Sequence, residues 1–110
     1  RCRTPSKDNQ VPVYVSGPMS GRKDFNFPKF FSVAAQLRAQ GKEVVNPAEL
    51  PHNDDLTKDW SFYIREDLIA LIRDCDEVVL LPGWRKSRGA RLERRVAKAL
   101  GMKISEWSAA

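Results

Sequence analysis

The 110-residue chain predicts an α/β fold, a single three-layer domain whose mostly parallel sheet of four or five strands carries helices on both faces. Three observations predict it. Strand-like and helix-like stretches alternate along the chain, the order that parallel strands need for their crossovers. The run Val78-Val79-Leu80-Leu81 is apolar without alternation, as in an interior strand covered on both sides. The first and third strand-like runs end in glycine-containing turns, Gly17–Gly21 and Pro82-Gly83, where open α/β sheets hold their ligands.

Each element follows from local chemistry. Residues 1–10 are taken as a tail or remnant, and 11–110 as the domain. Val11–Ser16 is the first strand, and the loop Gly17-Pro18-Met19-Ser20-Gly21 exposes backbone amides. A helix begins near Pro28, with a buried stripe of Phe30, Ala34, Leu37 and Arg38 and a stop at Gly41. Lys42–Asn46 is the second strand, ended by Pro47. A polar loop through His52-Asn53-Asp54-Asp55 leads to a helix over 59–73, capped by Thr57. Asp76–Leu81 is the third strand. The last helix runs from near Ser87 to Gly101, and Met102–Trp107 is a short fourth strand.

Composition narrows the function. The formal charge of +5, from 19 Lys and Arg against 14 Asp and Glu, suits an anionic ligand without demanding nucleic acid. Six of these cations lie between Arg85 and Arg95, either around a ligand or on a solvated helix face. Cys2 and Cys75 stand far apart, and His52 is the one histidine, so neither a disulfide framework nor a metal site is expected. No run approaches the roughly 18 apolar residues of a membrane span, and a cytoplasmic location is expected. A chain this short suggests a homodimer or larger assembly.

Two helices place an acid on their buried face. At about 3.6 residues per turn, Gly89, Glu93, Val96, Ala97 and Leu100 share one stripe, and Trp60, Ile64, Asp67, Leu68 and Leu71 another. A carboxylate among core residues is costly unless paired, protonated or used. Either acid could instead belong to a register shifted by 100° or pair with a nearby arginine. Flanking one strand, the two suggest a shared cleft. Paired carboxyls suit glycosyl transfer, in which one attacks the anomeric carbon and the other manages the leaving group's proton. Mg²⁺-assisted phosphoryl transfer is the weaker alternative, because no GxxxxGK[ST] loop is present.

The segments Tyr14–Gly21, Glu43–Leu50, Arg65–Leu68 and Leu81–Glu93, with the pattern Gly-Trp-x-x-Ser-x-Gly-x-x-x-Glu, resemble the nucleoside 2-deoxyribosyltransferase-like superfamily. The nearest branch is the small, often phage-encoded domains of unknown function 4406, over about residues 11–106. The resemblance implies a Rossmann- or flavodoxin-like fold and cleavage of the bond between base and sugar in a nucleoside or its 5′-monophosphate, without a cofactor. It implies Glu93 as nucleophile, Asp67 as the group that handles sugar and proton, and Tyr14 beside the nucleophile. Ser16 at the end of the first strand and Gly17, Pro18, Met19 and Gly21 of the loop after it, with Ser87 and Gly89, are implied to hold the sugar or its phosphate. Arginines around Glu93 are expected either to depress its pKa or to bind that phosphate. Trp84 suits base stacking or a packing lid, and Asn46 suits the site face or a turn cap. Two other classes stay open: a nucleotide-binding module using the same cleft, and, ranked last for want of interleaved aromatics, a nucleic-acid binder.

Overall fold

Strand β1 (Val13–Ser16) is buried at all four positions because it lies inside the sheet. The computed structural model describes residues 12–19, 22–51 and 57–108. The tail, Val11, Gly21 and the loop at His52–Asp55 therefore lie outside the described residues. Helix α1 (Phe27–Ala39) follows β1, and β2 (Val44–Val45) pairs with β1 on one side. Helix α2 (Trp60–Asp74) crosses to β3 (Glu77–Leu80) on the other side of β1. Helix α3 (Arg88–Ala99) then returns the chain to β4 (Lys103–Glu106). All pairings are parallel and the order is β2-β1-β3-β4. The chain changes direction across the sheet between β1 and β3, which opens a crevice at their carboxyl ends.

The pleat sorts β1 between two cores. Val13 and Val15 pack with Phe30, Val33 and Leu37 of α1, whereas Tyr14 joins Leu71 of α2 and Ala97 of α3 on the opposite face. Helices thus cover both faces, as the sequence implies. Gly17 lets the chain leave β1 tightly, since a Cβ there would lie 2.7 Å from Leu81 Cβ. Leu81 is fully buried and cannot retreat. Gly17→Ala is expected to destabilise the fold by about 1–3 kcal/mol through overpacking. An unchanged urea midpoint would contradict that contact.

Several boundaries and faces differ from the sequence expectation. Arg38 lies at the surface and chelates Glu49 at 2.7 and 2.8 Å; Val33 takes its place in the core. The pair ties α1 to the segment after β2, and the guanidinium holds Glu49 below the usual carboxylate range. β2 is shorter than 42–46, a two-residue, half-buried edge strand. Thr57 does not cap α2, because Asp59 occupies the N-cap position, two residues later. In α3 the buried stripe is Ala90, Glu93 and Ala97; Leu100 lies past the last helical residue and is 54% exposed. Gly101, at φ 75°, makes the turn after it.

Candidate active site

β1 and α3 bring together Tyr14 and Ser16 with Glu93, which lies 79 and 77 residues later in the chain. Glu93 lies on the α3 turn that faces β1, and Tyr14 and Ser16, two residues apart, project toward it from one face of the strand. The Tyr14 hydroxyl donates to Glu93 Oε2 at 2.7 Å, and the Ser16 hydroxyl donates to Oε1 at 2.6 Å. Both carboxylate oxygens therefore have a short O–H donor, the geometry of a charge-assisted bond. Glu93 is only 4% exposed.

Asp67, 7% exposed on α2, opens onto the same cleft as Glu93. The cleft encloses about 670 Å³, in the range of small-molecule sites. Gly17, Pro18 and Met19 form one wall, and Ser87, Gly89 and Ala90 at the start of α3 form another. Ser87 caps that helix by accepting from the Ala90 amide at 3.1 Å. The wall thus ends in a helix N-terminus, which attracts anions.

Electrostatics favour one proton on the two acids near neutrality. Burial, then the Asp67 carboxyl, pushes Glu93 up to about 8 against the pull of its two hydroxyl donors. Burial, with Glu66 behind it, pushes Asp67 up to about 7. Values so close, on acids lining one cleft, belong to the pair rather than to either residue. The two hydroxyl donors on Glu93 pull against its rise, and the pair as a whole holds the proton. Burial and Glu93 raise the Tyr14 phenol well above its ordinary value, and it stays a donor throughout. The expected depression of the Glu93 pKa by arginine does not occur. Three arginines of α3 turn away from it: Arg91 and Arg95 are exposed, and Arg94 lies over the Trp84 ring at 5.2 Å, while Arg88 lines the cleft and stacks on Trp60.

Other expected site residues fall in different places. Ser16 bonds the carboxylate rather than lining the cleft. Asn46 caps the turn at Pro47 by accepting from the Ala48 amide, and Pro47, not Asn46, reaches the cleft wall. Trp84 packs against the core beneath β3, with Arg85 and Arg94 over its ring, and is absent from the wall. The tryptophan on the wall is Trp60, beside Phe25, Phe27, Phe30 and Tyr63, with the Arg88 guanidinium 3.5 Å from its ring centroid. Its spacing with Ile64 and Asp67 marks it as a stripe residue, and that stripe reaches past the core into the cleft. Among the described residues no group of three or more acids, histidines or cysteines could hold a metal. No helix among them is long and apolar enough to cross a membrane.

A parallel four-stranded α/β sheet in the order β2-β1-β3-β4 is a fold shared with a solved structure. The fold is similar to that of the 2-desoxiribosyltransferase from Leishmania mexicana, with a TM-score of 0.65 and 18% sequence identity over 91% of this chain. The match spans 65% of that protein, so the present chain corresponds to about two thirds of its length. No curated protein sequence matches the chain. Residues 11–106 match the family described as "Domain of unknown function (DUF4406)", and the chain belongs to that family.

Proposed function

We propose that this protein cleaves the N-glycosidic bond of a deoxyribonucleoside or its 5′-monophosphate, using Glu93 as nucleophile and Asp67 as general acid. One observation carries the reading: a buried carboxylate with a hydroxyl donor on each oxygen, facing the same cleft as a second buried acid. A Glu93 oxygen bonds C1′ as the bond from C1′ to the base nitrogen breaks, and the Asp67 proton goes to the departing base. Water, deprotonated by Asp67, then attacks C1′ and frees Glu93; a second base in place of water gives transfer instead. The positive charge that develops on the sugar is stabilised by the adjacent carboxylate. A cytoplasmic homodimer or larger assembly belongs to the same reading, with a second copy closing the open side of the cleft.

The test is incubation with the deoxyribonucleosides and their 5′-monophosphates, with free base followed by chromatography. Base release is the expected result, and its absence across the set from folded protein would reject the enzyme. The second reading, a nucleotide-binding module, is favoured by one observation: burial raises Glu93 far enough to oppose the ionised form that attack requires. In that case nucleotides bind and stay intact.

A further inference from the structure

Among the described residues four cations line the cleft: Arg22, Lys58, Lys86 and Arg88. None of them makes an ion pair among the described residues. They fall into two pairs by their neighbours. Arg22 lies against the turn after β3, where a Cβ on Gly83 would meet its Nη2 at 2.6 Å, and Lys86 donates its amide to the Gly83 carbonyl. Arg88 stacks on Trp60, and Lys58 stands two residues before that ring. The start of α3, with Ser87 and Gly89, lies on the wall with them.

One phosphate dianion is matched by one such pair together with the amides of a helix N-terminus. The second pair would then face the cleft without a counter-charge. Among the described residues, the remaining charge on the wall is that of Asp67 and Glu93, which hold about one proton between them. Fixed cations of one sign around a concave wall act together on an anion.

We propose that the cleft takes a nucleotide with at least two linked phosphates, a nucleoside 5′-diphosphate or longer, whose chain lies between the Arg22–Lys86 and Lys58–Arg88 pairs. The assignment rests on the glycosidic reading for the position of the sugar at Glu93. Trp60 is then free to stack on an aromatic base once Arg88 turns to the phosphates.

The test compares a deoxyribonucleoside, its 5′-monophosphate and its 5′-diphosphate by calorimetric titration of the Glu93→Gln protein, beside base release by the unaltered protein. The diphosphate should bind about tenfold tighter than the monophosphate, since it adds charge-assisted contacts. That advantage should shrink as salt rises and collapse in Arg22→Ala, which removes one cation from the first pair. Equal affinity for the two nucleotides would overturn the proposal, and the same ratio read as kcat/KM on the unaltered protein decides the matter if either variant misfolds. Base release from the monophosphate without any diphosphate advantage would reject the phosphate chain and keep the glycosidase. Tighter diphosphate binding without base release would support the chain and reject the chemistry.

Discussion

Glu93→Gln is expected to abolish base release, by roughly 10³-fold or more, while the cleft keeps its ligand affinity. The amide retains an oxygen to accept from Tyr14 or Ser16 but has no electron pair basic enough to attack C1′. The same variant should gain stability at alkaline pH. Glu93 has its folded pKa raised to about 8 from 4.5, so the native protein keeps a proton that the unfolded chain releases. Native stability therefore falls as pH rises through that window, and the glutamine, which never ionises, escapes the loss. Melting temperatures should agree near pH 5 and separate near pH 9, with the variant higher by about 4 °C or more. Identical melting at both pH values would mean that Glu93 does not titrate as a buried acid.

Asp67→Asn should slow base release by about 10²–10⁴-fold, the usual contribution of a positioned general acid. The deficit should depend on the leaving base. A 7-methylated purine already carries the positive charge and departs without a proton, so the variant should cleave it at close to the parent rate. Equal losses for both kinds of base would argue that Asp67 positions the sugar and transfers no proton. Burial and Glu66 push Asp67 up to about 7, and Glu93 lies near 8. The parent profile should then be a bell with limbs near these two values, narrow because both belong to one pair. In the asparagine protein the alkaline limb, which records loss of the acid's proton, should disappear.

Much of this site is legible in the linear chain because two of its parts are periodic. Glu93 and Asp67 violate the helical pattern of buried apolar residues, and a violation of that kind is visible without coordinates. The fold is legible for the same reason: an unbroken Val78–Leu81 run and alternating elements leave few arrangements open. What periodicity does not carry is depth and direction. Trp84 and Trp60 both lie near the cleft in sequence terms, but only the packing of the turn after β3 decides that Trp84 turns into the core and Trp60 out of it. The charge of Arg22 is equally mute until the Gly83 turn brings the two loops together. Ser16 reads as a substrate contact at the end of the first strand, and becomes a partner of the carboxylate because it is the last residue on the inward face of β1.

That alternation in β1 links evolvability to chain length. Val13 and Val15 can exchange among apolar residues of similar volume, because they belong to the apolar cluster on the α1 side of the sheet. A single inserted or deleted residue within the strand is different in kind. It would turn Tyr14 and Ser16 toward α1 and present valines to Glu93, exchanging the reactive and the structural side of the sheet at one stroke. Lineages of this domain should therefore diversify through the loops at the strand ends, and hold the spacing of β1 fixed to the residue.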